Sequence, residues 1–380
     1  MAQAQEPEKI KIGFITDMSS NYADVDGKNG ALAIQMAIDD FGGKVLGKPI
    51  ELLTQDHQHK PDIAATKARE WIDTQNLTML LGGTNSGVGL ALAKVAQEKK
   101  RVYFVNGAGT SALTNEQCSP YTVHYAYDTV ALAKGTGAAV VANGGKEWYF
   151  LTADYAFGHS LESDTANVVK AKGGTVKGSV RHPLNASDFS SFLLQAQNSR
   201  AQILGLANAG GDTINAIKAA REFGINKSMQ MAGLLVFVTD VHSLGLKNTE
   251  GLLLTTSWDW NLNDESRAFG RKFQAKTKRM PTDIQAANYS ATMQYLKALE
   301  KAGTTDADKV MEVLKSAPIQ DFYAQGVIRP DGRYAHDMYL MQVKSPAESK
   351  EAWDYYKVVS KLPAEQVWTT KEESKCALWK

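Results

Sequence analysis

Cysteine is almost absent from this sequence. Its 380 residues include two cysteines, Cys118 and Cys376, which lie far apart along the chain. They have no metal-ligand spacing, which argues against a cysteine-based zinc or iron–sulfur site. The two cysteines could be unrelated buried thiols or could form a disulfide. So few cysteines are compatible with either a reducing or an oxidising compartment.

An excess of charge of either sign is also missing. The chain has 42 Lys and Arg residues against 41 Asp and Glu residues, for a formal net charge of +1. Without a basic excess we expect no nucleic-acid partner. No apolar run approaches the roughly 18 residues of a membrane-spanning helix, so we expect no membrane insertion. A chain of 380 residues with 43% hydrophobic content exceeds the usual size of a single core, which predicts two domains.

The sequence lacks the motifs of nucleotide and hydrolase chemistry. The glycine-rich residues 82–89 do not follow the G-x-G-x-x-G order, and no glycine loop leads into a P-loop Lys-Ser/Thr pair. No G-x-S-x-G elbow surrounds Ser86. His57 and His59 are spaced to bind a metal, but we interpret them as part of a solvated loop after a strand. We therefore predict that the protein is not an enzyme and binds no cofactor or metal. A doubly wound enzyme such as a dehydrogenase is the alternative.

Short apolar runs alternate with amphipathic helices along most of the chain, which predicts parallel strands with right-handed crossovers. Six of these runs end in turns of Gly, Ser, Thr, Asn and Asp: residues 10–16, 77–81, 101–105, 147–151, 201–206 and 230–232. Such turns offer N–H groups and hydroxyls beside helix N-termini, where open α/β sheets bind ligands. Two facing sets of three turns predict a binding cleft.

Several short motifs, taken in order, are similar to one family. The motifs are Ile12-Gly13-Phe14, Asn29-Gly30-Ala31, Asp154-Tyr155-Ala156-Phe157-Gly158 and Asp188-Phe189-Ser190. Each is weak alone, but their order and spacing over residues 9–344 resemble the type I periplasmic solute-binding proteins of ABC transporters. Within this family the sequence resembles the branched-chain amino-acid (leucine/isoleucine/valine) binding group. A branch of that group that binds aromatic acids is also compatible with the motifs.

This resemblance implies an α/β fold of two doubly wound parallel-sheet lobes joined by three crossovers. The crossovers are expected near residues 125–128, 252–257 and 328–334. We predict a first lobe of residues 8–126 and 255–328 and a second lobe of residues 127–254 and 329–345. Residues 346–380 are expected to form a C-terminal tail that packs back on the first lobe.

The resemblance also implies which residues hold a ligand. The Ser86 hydroxyl, the Ala108 backbone and the hydroxyl and N–H of Thr110 would bind a carboxylate with neutral donors. Tyr22 of the first lobe and Tyr155 of the second would cover the apolar part of the ligand. The predicted ligand-binding residues are Tyr22, Asn85, Ser86, Ala108, Gly109, Thr110, Tyr155, Phe157, Asn208, Asp212, Leu234, Leu235, Trp258 and Asp259.

One departure from the family changes the predicted ligand. Amino-acid binders of this group place an acid after the glycine of the sixth turn, where it pairs with the ligand ammonium, but this chain has Leu235 there. Because a buried ammonium without a partner costs several kcal/mol, we predict an aromatic acid of the benzoate or phenylpropanoid type. Asp212 and Asp259 are able to rescue an ammonium, so a branched-chain or other amino acid, or an amide, is the alternative. Asp212 could equally serve only to cap a helix, and Trp258 could serve only to pack at the hinge, instead of contacting the ligand.

The resemblance implies a monomer in the periplasm that delivers a small carboxylate to the permease subunits of an ABC transporter. A ligand-sensing domain with the same fold is a further alternative. The polar residues 1–9 read as the stub left after a signal peptide, although an unprocessed cytosolic start is also compatible with them. In an oxidising periplasm we expect Cys118 and Cys376 to pair and tie the tail to the first lobe, with a stabilisation of roughly 4 kcal/mol.

Overall fold

The computed structural model describes residues 8–380, so most of the N-terminal segment interpreted as a cleavage stub lies outside the described residues. The strands are β1 (Ile10–Thr16), β2 (Lys44–Val45), β3 (Lys48–Asp56), β4 (Met79–Gly82), β5 (Val102–Val105), β6 (Thr122–His124), β7 (Glu147–Ala153), β8 (Thr175–His182), β9 (Ile203–Ala207), β10 (Gln230–Gly233), β11 (Leu253–Thr256), β12 (Ile319–Gln320), β13 (Gln325–Ile328), β14 (Tyr334–His336), β15 (Met338–Val343) and β16 (Tyr356–Leu362). The helices are α1 (Gly27–Asp40), α2 (Pro61–Gln75), α3 (Ser86–Lys99), α4 (Thr129–Leu132), α5 (Ala138–Ala142), α6 (Ala156–Ala171), α7 (Ser190–Asn198), α8 (Gly211–Glu222), α9 (Val238–Leu244), α10 (Leu246–Thr249), α11 (Asp264–Thr277), α12 (Asp283–Ala302), α13 (Ala307–Lys315) and α14 (Ala364–Val367).

Two mainly parallel sheets organise the chain. The first has the order β2-β3-β1-β4-β5-β6, and only β2 runs antiparallel to its neighbour. The second has the order β10-β9-β7-β8 and is entirely parallel. In each sheet the chain starts at an inner strand and winds outwards in both directions, which creates a switch point where ligands bind. The predicted α/β fold with two parallel-sheet lobes is confirmed.

Helices cover the first sheet because their apolar residues recur at helical spacing. In α3, Val88, Leu92, Val95 and Ala96 lie on one face and are all buried. They pack in one cluster with Leu80 of β4. Burying side chains of this size contributes roughly 1.5–3 kcal/mol each, so this stripe fixes α3, and with it the turn that precedes it, against the sheet.

The chain first leaves the first sheet after β6 and enters the second sheet at β7. A later segment returns to the end of β6, where the His124 N–H donates to the Gly332 carbonyl oxygen at 2.9 Å. Gly332 has φ +85°, and a Cβ there would lie 2.3 Å from the Thr122 carbonyl oxygen, so only glycine fits this approach. Residues 122–129 and 329–334 therefore meet beside the first sheet. The lobe boundaries given above stay a prediction.

The last 35 residues contain structure that the sequence did not predict. Strand β16 pairs antiparallel with β15, and α14 follows it. The predicted disulfide between Cys118 and Cys376 is confirmed and joins the C-terminal end to the segment between β5 and β6. Nearby, Arg329 donates to the Thr369 carbonyl oxygen at 2.9 Å. Among the described residues, no helix is both long enough and apolar enough to cross a membrane.

Candidate functional site

Two turns of the first sheet touch each other, one after β4 and one after β5. The Thr110 N–H donates to Ser86 Oγ at 3.1 Å. A Cβ on Gly107 would lie 2.4 Å from Thr84 Oγ1, so glycine is required for this approach. Asn85 caps α3 by accepting the N–H three residues further on at 3.1 Å. The N-terminus of α3 thus lies directly beside the turn of residues 106–110.

The carbonyls of residues 107–109 all accept hydrogen bonds from the segment around the end of β6. The donors are the Tyr127 hydroxyl to Gly107 (3.0 Å), His124 Nε2 to Ala108 (2.6 Å) and the Thr129 N–H to Gly109 (2.9 Å). Within residues 8–380, the N–H groups of Ala108 and Gly109 have no acceptor, although both residues are buried. Buried unpaired N–H groups are rare in proteins, so these two are donors that an added acceptor could satisfy. The first N–H groups of α3 lie beside them.

A narrow cavity lies between these turns and the second lobe. It is lined by Tyr22, Val25, Thr84, Asn85, Ser86, Gly107, Tyr127, Tyr155, Phe157, Ala209 and Phe237. Five of these described residues carry an aromatic ring, and none is an Asp, Glu, Lys or Arg. Little of the space is wide enough for a water molecule. The closed cavity is therefore far smaller than the roughly 300–1,000 Å³ of drug-sized ligand pockets, and a ring would bind there only if the surrounding side chains or lobes moved apart.

The two lobes contact each other across this cavity. The hydroxyl oxygens of Tyr22 and Tyr155 lie 2.5 Å apart. Asn21 Nδ2 donates to Asp212 Oδ2 at 3.3 Å, and the Asp212 N–H donates back to Asn21 Oδ1 at 3.1 Å. These contacts describe a closed arrangement of the two lobes.

The structure brings some of the predicted residues together at the cavity. Tyr22, Asn85, Ser86, Tyr155 and Phe157 line it. Ala108, Gly109 and Thr110 form the turn directly behind Ser86 and do not line the cavity. The Thr110 N–H donates to Ser86 and its hydroxyl bonds to Ser160 Oγ at 2.8 Å, so both donors predicted to bind the carboxylate already have partners in this closed arrangement.

Other predicted residues lie outside the lining. Asn208 is fully buried and bonds to the His182 ring at 3.1 Å. Asp212 accepts two backbone N–H groups of residues 185 and 186, and burial raises its pKa to about 6. Leu234 and Leu235 belong to the hydrophobic core. None of these four side chains reaches the cavity in this closed arrangement.

Trp258 and Asp259 lie at a separate small cavity beside Pro281. Trp258 packs into the core and donates its indole N–H to the Phe322 carbonyl oxygen at 3.2 Å. Asp259 accepts the N–H of Asn261 at 2.9 Å, and burial raises its pKa to about 7. The hinge-packing alternative for Trp258 fits this position. Asp259 caps its own turn and does not line the cavity between the lobes.

The interpretation of His57 and His59 as solvated loop residues is wrong. His57 is fully buried, and this burial lowers its pKa to about 4. His59 Nε2 lies 3.0 Å from the Asp17 carboxylate, and its ring meets the edge of Tyr22 at a centroid distance of 5.1 Å. Burial raises the pKa of Asp17, but hydrogen bonds from His59 and the Tyr22 N–H outweigh it and hold that pKa below its usual range. The pair therefore supports the Tyr22 wall of the cavity.

Several lining residues were not predicted. They are Val25, Thr84, Gly107, Tyr127 and Phe237, whereas Ala209 lies on the turn of the predicted residue Asn208. Tyr127 falls in the first predicted crossover, and Phe237 lies in the apolar stretch of residues 234–238. An aromatic residue in a crossover beside polar turns is a signal by which a cavity-lining residue could be found. The sequence alone does not show that its ring faces the cleft. Within residues 8–380, no group of three or more His, Cys, Asp or Glu side chains is arranged to hold a metal ion.

Comparisons with known proteins agree with this architecture. The sequence profile of the periplasmic binding protein family matches residues 9–350. A periplasmic binding protein from Burkholderia mallei shares 65% sequence identity with this chain at a TM-score of 0.97, and the match covers 98% of this chain and 100% of that one. A branched chain amino acid ABC transporter periplasmic ligand-binding protein from Burkholderia xenovorans LB400 shares 39% identity at a TM-score of 0.87, covering 98% of this chain and 100% of that one.

A more distant similar structure contains a ligand. It is a solute binding protein of an ABC transporter from Rhodopseudomonas palustris HaA2 in complex with p-hydroxybenzoic acid, with 25% identity and a TM-score of 0.84. The match covers 94% of this chain and 97% of that one. From its family profile, its fold and its interlobe cavity, this chain belongs to the periplasmic binding protein family, the solute-binding proteins of ABC transporters.

Proposed function

We propose that this protein captures a small aromatic carboxylate between its two lobes in the periplasm and delivers it to the permease of an ABC importer. The observation that carries the proposal is the pair of buried, unpaired N–H groups of Ala108 and Gly109 beside a cavity with five aromatic rings. The protein acts in this proposal as a monomeric binder and catalyses no reaction. The closed arrangement is the form that the permease recognises.

Neutral donors account for the carboxylate end of the ligand. The Ser86 hydroxyl lies at the start of α3, where the helix dipole favours negative charge, and the N–H groups of Ala108 and Gly109 lie on the neighbouring turn after β5. Hydrogen bonds to a charged group contribute roughly 1.5–3 kcal/mol each, so two or three of them hold a carboxylate without an arginine. No Lys or Arg of the described chain lines the cavity.

The aromatic rings account for the other end of the ligand. Tyr22, Tyr155 and Phe157 line the cavity and would enclose a ring once the cavity widens to admit it, and aromatic pairs add about 0.5–1.5 kcal/mol beyond the area they bury. An α-amino acid is disfavoured because no carboxylate lines the cavity to pair with its ammonium. The similar structure with p-hydroxybenzoic acid supports an aromatic acid. The relative described as a branched-chain amino-acid transporter protein keeps the amino acid as the competing candidate.

A ligand panel tests the proposal. We expect benzoate, 4-hydroxybenzoate and cinnamate to raise the thermal unfolding midpoint, since ligand at a hundredfold excess over Kd adds about 2.7 kcal/mol. Benzamide, which matches benzoate in shape but carries no charge, should bind at least about tenfold more weakly in isothermal titration calorimetry. If leucine or valine gives the largest shift of the panel, the aromatic-acid proposal is wrong.

Gly109 offers a test of closure around the ligand. A Cβ at this position would lie 2.8 Å from the ring of Phe157, which belongs to the second lobe. Gly109→Val should therefore obstruct the closed form, with a smaller displacement of the Tyr127 ring, which the Cβ would approach at 3.0 Å. Overpacking of this kind costs about 1–3 kcal/mol, so we expect benzoate affinity to fall between about 5- and 150-fold by calorimetry.

Gly107→Ala is the matched control. Its Cβ would clash with Thr84 inside the first lobe, in the open and closed forms alike. This variant should lower the unfolding midpoint without ligand, whereas Gly109→Val should leave it close to that of the wild type. Equal benzoate affinity in Gly109→Val and the wild type would show that closure on Phe157 is not part of binding.

A further inference from the structure

Arg333 reaches the ligand-binding turn through His124. The two residues are fully buried, and Arg333 Nη2 lies 2.6 Å from His124 Nδ1. Arg333 Nη1 also donates to the His124 carbonyl oxygen at 2.9 Å. On the other side of the imidazole, Nε2 lies 2.6 Å from the Ala108 carbonyl oxygen. A continuous chain of hydrogen bonds thus runs from residues 329–334 to the turn after β5.

The chemistry of the two partners fixes the protonation of His124. A guanidinium group has only donors, so Nδ1 must accept. A carbonyl oxygen only accepts, so Nε2 must carry the hydrogen. Both contacts select the same neutral tautomer. Burial, together with the charge of Arg333, lowers the pKa of His124 well below its ordinary value, in agreement with a neutral ring.

This contact also sets the direction of a peptide group. The Ala108 carbonyl and the Gly109 N–H belong to one planar trans peptide, so they point in opposite directions. When His124 holds the carbonyl on the β6 side, the Gly109 N–H is turned away from that side. Gly109 is buried, and its N–H has no acceptor within residues 8–380.

We propose that Arg333 and His124 are positioning residues for the anion site: Arg333 selects the tautomer of His124, and His124 aims the Gly109 N–H at the ligand carboxylate. The ligand part of this inference rests on the proposed function. Arg333 also bonds to Asp128 at 2.9 Å, and Asp128 follows Tyr127, whose hydroxyl donates to the Gly107 carbonyl. Residues 122–129 and 329–334 therefore help to fix the geometry of the turn after β5, in addition to the sheet from which that turn extends.

Two substitutions at His124 test the relay. In His124→Gln, the side-chain amide offers an N–H to the Ala108 carbonyl and an oxygen to Arg333, whereas His124→Phe offers neither. We expect His124→Gln to keep benzoate affinity within about threefold of the wild type and His124→Phe to lose at least about tenfold, which corresponds to one hydrogen bond to a charged group. Equal affinities in the two variants would overturn the proposal.

Two measurements without ligand separate this inference from the proposed function. In the wild type, the imidazole ¹⁵N spectrum should show His124 with Nδ1 unprotonated and Nε2 protonated throughout the neutral pH range. The Gly109 amide resonance should move in His124→Phe and stay near its wild-type position in His124→Gln. If the wild type binds no acid of the panel, the proposed function fails, and these spectra still decide the relay. A protonated Nδ1 would overturn it even if His124→Phe does not fold.

Discussion

Replacing Arg333 by methionine is expected to lower the free energy of unfolding by about 3–5 kcal/mol, the cost of breaking a buried ion pair from one side. The Asp128 carboxylate is 2% exposed and lies 2.9 Å from the guanidinium, so methionine leaves it buried without its cation. Arg333 also packs against the Trp368 ring, 4.3 Å from its centroid, and methionine keeps much of that contact. Urea denaturation followed by far-UV circular dichroism measures the change.

The control removes the orphaned charge as well. Asp128 also caps α4 by accepting the Ala131 N–H at 2.8 Å, a contact that asparagine preserves. The double variant Arg333→Met/Asp128→Asn should therefore recover much of the stability that the single variant loses. If the double variant is as unstable as the single one, packing rather than the unpaired carboxylate explains the loss.

Removing the disulfide by Cys118→Ser and Cys376→Ser should cost about 2–5 kcal/mol, the range for native disulfides that close long loops. The two cysteines are separated by 258 positions, so the bond restricts a large part of the unfolded chain. The C-terminal end also loses its covalent link to the first lobe, although the Lys375 N–H still bonds to Asn115 Oδ1 at 3.2 Å. The denaturation midpoint reports the loss.

Reducing agent provides the matched comparison. Dithiothreitol should lower the midpoint of the wild type to that of the double serine variant and leave the variant unchanged. A wild-type midpoint that stays constant after verified reduction would show that the bond contributes nothing to stability.

The sequence determined the lobes well because strand and helix periodicity depends on local spacing. The turns after β4, β5 and β7 could be placed from their polar residues, and this located Ser86, Gly109 and Tyr155. Strand β16 escaped prediction because its alternation is weak: Val358 and Val359 are adjacent and both about half exposed. Its pairing with β15 depends on tertiary contacts and not on the local sequence pattern.

Residues away from the turns were harder to assign. Trp258 and Phe237 are both aromatic residues that follow a strand of the second half, yet Phe237 lines the cavity and Trp258 packs into the core. Which face a ring takes depends on long-range packing, which no local pattern records. His59 was misjudged for the same reason, since Asp17, its partner, lies on a turn 42 positions earlier.

A crystal structure of the protein with benzoate tests the central claim most directly. We expect a carboxylate oxygen within about 2.7–3.2 Å of the Gly109 N–H and of Ser86 Oγ, with the ring enclosed by Tyr22, Tyr155 and Phe157. Benzoate bound to a surface Lys or Arg outside the interlobe cavity, with the cavity left empty, would contradict the claim.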